Sequence, residues 1–161
     1  ALGLTAPLAG WLSDRWGTRR LTTIGLFILI IGYIAASTLH ETAAVQDYAL
    51  WFIQLGVGMG IFQSPNNSAI MGSVSHKRLG IASGLLSLTR TMGQTIGIAL
   101  IGAFWAGRVQ SLYQGDGLVE ATSAPPPIQV AALQQVFIGI SLIISVAFFM
   151  SLWALWKEKQ R

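Results

Sequence analysis

The chain has 161 residues, of which 53% are hydrophobic and only 10% charged, with ten Lys and Arg against six Asp and Glu, and no cysteine. A soluble domain carries about 25% charged residues, so this composition falls outside that class. The missing thiols exclude disulfides, thiolate metal sites and cysteine nucleophiles. The net charge of +4 does not argue for nucleic acid, because eight of the ten basic residues sit in three short polar gaps at segment ends.

Taken in chain order, the first apolar stretch covers residues 1–12. As a helix it is roughly 18 Å long, short of a hydrocarbon core of about 30 Å, and it reads as the end of a helix that starts upstream. The first gap carries Asp14, Arg15, Arg19 and Arg20. Complete membrane spans are expected over residues 21–39, 48–70, 80–105 and 133–156, each near the ~20 residues that a crossing needs. The gaps between them alternate in sign. Glu41 and Asp47 occupy the second without any Lys or Arg, Lys77 and Arg78 the third, and Asp116 and Glu120 with Arg108 the fourth. Residues 157–161, with Lys157, Lys159 and Arg161 beside Glu158, form a basic tail.

Basic gaps alternating with acidic ones are what the positive-inside rule gives for a chain that crosses a bilayer repeatedly. Trp11, Trp16, Tyr48, Trp51, Trp105, Trp153 and Trp156 mark segment ends, as interfacial aromatics do. The expected class is therefore all-α and polytopic, with four complete transmembrane helices plus the end of a fifth. The basic gaps and the C-terminus then lie on the cytoplasmic side of the cell's inner (plasma) membrane. Residues 106–132, with Gly107, Gly115, Gly117 and the run Pro125 to Pro127, are expected to form a flexible outer loop with a stiff polyproline exit, either a linker or a ligand-binding segment.

The gap sequence GWLSDRWGTRR, Gly10 to Arg20, resembles the signature G-x-L-x-D-R-x-G-x-[RK]-[RK] of the major facilitator superfamily, which lies in the cytoplasmic loop between the second and third helices of each half. Gly17 permits a tight reversal, Arg15, Arg19 and Arg20 hold the loop inside, and Asp14 can face a helix N-terminus or a basic partner. Thr18 stands where the family usually has another basic residue. Two further stretches, GVGMGIFQSPNNSAIMGSV (Gly56 to Val74) and RLGIASGLLSLTRTMGQTIGIAL (Arg78 to Leu100), resemble the penultimate helices of drug:proton antiporters, closest to the fourteen-helix branch.

The resemblance implies part of a carboxy-terminal bundle, with the amino-terminal half of the same chain as a partner alongside the lipid bilayer and a small organic substrate. It implies a conformational-switch role for Gly10, Asp14, Arg15, Gly17, Arg19 and Arg20. It further implies a secondary active transporter, not an enzyme, that exports drugs or other amphipathic compounds. Such a protein needs no cofactor and draws on a proton gradient. Uptake or symport within the same family, or a non-transporting assembly subunit, are the alternatives.

Inside the spans, Arg90 is the sharpest residue, about 15 Å along its helix from Gly80 and so near the midplane. A charge there costs at least ~2.5 kcal/mol, so it should face protein or water, contacting substrate or an acid elsewhere, or holding the helix in place. Gln94, one turn on, extends a polar stripe with Ser83 and Ser87. Pro65 with Asn66 and Asn67 marks either an inner gate or a fixed kink. Gln54 and Gln63 either line a cavity or bond a neighbouring helix. The glycine pairs Gly56 with Gly60, Gly80 with Gly84, and Gly93 with Gly97 are spaced for close helix packing. No Asp or Glu lies in any expected span, and His40 and His76 stand at segment ends, so a coupling acid is expected upstream.

Overall fold

The computed structural model describes residues 1–40, 45–113, 115, 117 and 119–160. Glu41, Ala44, Asp116 and Arg161 lie outside the described residues, as do the side chains of Glu158 and Lys159. Among the described residues, five long helices carry the fold: α1 (Leu2–Trp16), α2 (Thr18–Ala36), α3 (Val45–Gly72), α4 (Leu79–Leu112) and α5 (Pro126–Lys159). A single 3-10 turn, His76–Arg78, leads into α4. No strand occurs among the described residues.

α2 sits at the centre because two of its faces are built to be covered. Leu21, Gly25, Leu29, Gly32 and Ala36, three or four apart, form one buried stripe, while Ile24, Phe27, Ile31 and Ile34 stay exposed. α3 runs antiparallel against the stripe at backbone distance. A methyl group on Gly25 would lie 2.6 Å from the Phe62 nitrogen, and one on Gly32 would lie 2.7 Å from Leu55 Cδ2. Gly58 of α3 returns the contact against Leu29. α5 covers another side of α2, also antiparallel. Phe27 meets Phe148 at 5.8 Å and Tyr33 meets Phe137 at 6.1 Å between ring centroids.

Two polar contacts fix the register of α2 and α5. The Thr23 and Ser151 hydroxyls lie 2.6 Å apart near one end, and Gln134 Nε2 donates to the Leu39 carbonyl at 2.6 Å near the other. α1 lies parallel to α3, with Ala1 against Gly56 and Thr5 against Gly60. This order brings the C-terminal ends of α1, α3 and α5 together with the start of α4, so the three basic gaps share one end of the bundle.

Among the described residues, three segments are long and apolar enough to cross a membrane: Thr18–Ala36, His76–Leu112 and Pro126–Lys157. The fourth expected span, α3, has the length at 28 residues. Gln54, Gln63, Ser64, Asn66, Asn67 and Ser68 dilute its apolar character. Its length and its packing against α1 and α2 place it in the same bundle.

Two expectations need correction. The inner loop of residues 14–20 is one residue: Asp14 and Arg15 belong to the last turn of α1, and Arg19 and Arg20 to the first turn of α2. Gly17 alone makes the reversal at φ 88°, ψ 140°, a conformation that side-chain-bearing residues rarely adopt, and its N–H donates to Ser13 O at 2.9 Å.

The outer segment of residues 106–132 is also largely helical, because α4 continues to Leu112 and α5 begins at Pro126. At 34 residues each, these helices span roughly 51 Å and must project beyond a ~30 Å core. The proline run starts a helix instead of forming a stiff extended exit. Pro126 and Pro127 fall in the first turn, where an N–H has no partner to lose, while Ile128 and Gln129 bond back to Pro125 O.

Candidate functional site

Two places on the bundle gather the residues singled out from the sequence, one at the end that holds the basic gaps and one on the open face of α3 and α4. At the first, the reversal at Gly17 and the last turns of α5 wall a cavity of about 950 Å³. Asp14, Arg15, Arg19 and Arg20 line one side, and Leu152, Leu155 and Trp156 the other. Ser13, buried at the end of α1, turns its hydroxyl back to the Gly10 carbonyl at 2.8 Å. Gly10 itself faces Ser64 of α3, so the signature is seated on α3 as well as opening towards α5. Arg15 leans over the Trp11 ring, 4.1 Å from its centroid. Asp14 is exposed and makes no hydrogen bond or ion pair among the described residues. The basic partner or helix N-terminus expected for it is therefore not supplied by these contacts.

On the open face, Arg90 Nη2 donates to Asn67 Oδ1 at 3.1 Å, and this bond joins the middle of α4 to α3. Arg90 is exposed and Asn67 half-buried. No carboxylate approaches the guanidinium among the described residues. Gln94 is exposed one turn further along α4, and Thr91 and Thr95 bond back to Ser87 and Thr91 carbonyls. On α3, Gln54, Gln63 and Asn66 are half-buried and have no hydrogen bond among the described residues, whereas Pro65 is fully buried. The structure thus brings Arg90 to Asn67 and leaves Gln54, Gln63 and Gln94 with their amides open.

The glycine pairs separate sharply. Gly56 and Gly60 pack against α1, a close approach in which Thr5 Oγ1 occupies the space a Gly60 side chain would need. Gly80, Gly84, Gly93 and Gly97 meet nothing within 4 Å. Their expected packing role is not realised by the described residues, because α4 touches α3 little and packs on α5 only towards its outer end. The glycines that hold α2 to α3 closest, Gly25, Gly32 and Gly58, stand outside every glycine pair singled out from the sequence, since Gly25 and Gly32 are seven residues apart.

Sequence reasoning also missed the outer clasp. Val109, Ala124 and Ala132 are buried together, with Trp105, Leu112 and Ile128 around them. Gln129 Nε2 donates to the carbonyls of Ala124 at 2.7 Å and Thr122 at 3.2 Å, and Gln110 Oε1 accepts from Val119 N–H at 3.0 Å. Arg108 Nε donates to Gln135 Oε1, and Trp105 Nε1 donates to Gln129 O at 3.3 Å. The amides of Gln129, Gln134 and Gln135 in an otherwise apolar helix start were the available signal.

The family model described as Major Facilitator Superfamily matches residues 1–161. Among similar proteins, the "Uncharacterized transporter YebQ" of Escherichia coli (strain K12) is 41% identical over 96 residues, covering 60% of this chain and 21% of that protein. The "Riboflavin transporter RibZ" of Clostridioides difficile (strain 630) is 29% identical over 151 residues, covering 91% of this chain and 32% of that protein. The "Multidrug resistance protein Stp" of Mycobacterium tuberculosis (strain ATCC 25618 / H37Rv) is 28% identical over 139 residues, covering 86% and 25%. The chain spans about a fifth to a third of the length of these relatives. No solved structure matches it. With a match that runs from end to end over a one-residue signature turn and an antiparallel helix order, the chain belongs to the Major Facilitator Superfamily.

Proposed function

We propose that the protein is a secondary active transporter that exports amphipathic organic compounds, drugs among them, in exchange for protons. The observation that carries this reading is the signature reversal at Gly17. It seats Asp14 and three arginines between α3 and the end of α5, where helices must shift against each other if the inner mouth is to open and close. The name of the multidrug resistance relative supports the export direction. On this reading the protein has no catalytic residue and no cofactor. It lies in the inner (plasma) membrane with its C-terminus in the cytoplasm, and its bundle is completed by the amino-terminal half. Arg90 and Asn67 border the substrate path, and the coupling carboxylate lies upstream in the same polypeptide, since no Asp or Glu falls in residues 21–39, 48–70, 80–105 or 133–156.

The test is dye efflux from cells and proton-driven uptake into inverted vesicles, with membrane abundance measured alongside. Asp14→Asn is expected to lower transport several-fold at unchanged abundance. Normal transport at normal abundance would remove the switch role of Asp14. Substrate that leaves the lumen together with protons, in the same vesicles, would replace export by symport.

A further inference from the structure

We infer that the cavity between the Gly17 reversal and the end of α5 is a site for an anionic phospholipid of the inner leaflet, a binding role separate from the transported substrate. The cavity is amphipathic in the order that a lipid requires. Its rim carries the exposed guanidinium groups of Arg15 and Arg20, with Asp14 as the opposing charge, and its α5 wall carries Leu152, Leu155 and Trp156. The 2.6 Å contact between Thr23 and Ser151 closes the space between the two helices one turn deeper. A phosphate at the rim would meet cations, and acyl chains would run over the exposed apolar face of α5.

Arg15 lies 4.1 Å from the Trp11 ring centroid, so an indole at the interface props this rim cation at headgroup depth. The site joins residues from opposite ends of the chain. A bound lipid would therefore bridge the signature reversal to α5. Plain inside-positive charge does not explain this placement, because Lys77 and Arg78 satisfy the same rule and stand outside this cavity.

The experiment places the full-length protein in phosphatidylcholine bilayers containing brominated phosphatidylglycerol and reads lipid preference from tryptophan quenching. The native protein is expected to prefer phosphatidylglycerol over phosphatidylcholine. Each cation removed should lower that preference about fivefold, the factor that corresponds to ~1 kcal/mol per basic residue at an anionic surface. Arg15→Gln with Arg20→Gln should therefore abolish most of it, and Arg20→Gln alone should cost about fivefold. The latter keeps the test decisive if the double variant does not assemble. Lys77→Gln with Arg78→Gln should leave the preference intact. An unchanged preference in the Arg20 variant, or an equal loss in the Lys77 and Arg78 pair, would overturn the site. Competition by millimolar inorganic phosphate at matched ionic strength would assign the cavity to a free anion and overturn the lipid.

Discussion

Gly25→Ala is the sharpest probe of the packing that organises this bundle. The added methyl would stand 2.6 Å from the Phe62 nitrogen and 2.9 Å from its Cα, where ordinary contact begins at 3.4 Å. Both atoms belong to the backbone of α3, so no side chain can swing away, and the helices must part by about 0.8 Å near the middle of their contact. Overpacking of this kind costs about 1–3 kcal/mol, and the better helix propensity of Ala returns at most about 1 kcal/mol of it. The expected net loss is roughly 1–2 kcal/mol. Gly84→Ala supplies the internal control. Nothing lies within 4 Å of its new methyl, so only the propensity gain of about 0.5–1 kcal/mol remains. Unfolding of both variants in mixed micelles, followed by circular dichroism against rising dodecyl sulfate, measures the two shifts in opposite directions. A Gly25→Ala protein as stable as the native one, with Gly84→Ala indistinguishable from it, would refute the close approach of α2 and α3.

Arg90→Ala should lower efflux of at least some substrates while the protein still reaches the membrane, and Arg90→Lys should rescue poorly because a compact ammonium is not equivalent to the planar guanidinium that donates through Nη2 to Asn67. Unchanged efflux with lost thermal stability would make Arg90 a structural residue. Gln129→Leu removes two donors to the Thr122 and Ala124 carbonyls, each worth about 1 kcal/mol. Amide hydrogen exchange over residues 119–124 should then accelerate about tenfold or more. Unchanged exchange there would show that apolar burial of Ala124 alone holds the segment.

Helix number and order were legible because apolar length is set by the bilayer, which acts on composition more than on any one contact. The Gly17 reversal was legible because a single backbone conformation demands glycine. Helix ends were harder to place. Residues 106–112 and 126–132 look polar enough, or proline-rich enough, for a loop, yet nothing stops a helix from continuing into water when its carbonyls are met and its prolines fall in the first turn. Glycine spacing failed for a different reason. A G-x-x-x-G pair states that close approach is possible on one face, while the partner decides whether it happens, and Gly80 and Gly84 have none among the described residues whereas Gly25 meets Phe62. The Arg90 contact with Asn67 was out of reach, since no rule pairs residues 23 positions apart on different helices.

The outer clasp gives α4 the mechanics of a lever. Its far end is gripped at Val109, Arg108 and Trp105, while its near half is tied to the bundle through Arg90 and Asn67. From Val109 back to Gly80 the arm is roughly 43 Å long at 1.5 Å per residue, so a tilt of about 10° at the grip displaces the near end by roughly 8 Å. A space of about 380 Å³ already lies beside that end, between Ile70 and Val74 of the preceding segment and Ile81 and Leu85 of α4. One amide-to-guanidinium bond thus ties this long rod to α3 part-way along its length, and a ligand that competes for either partner would loosen it there.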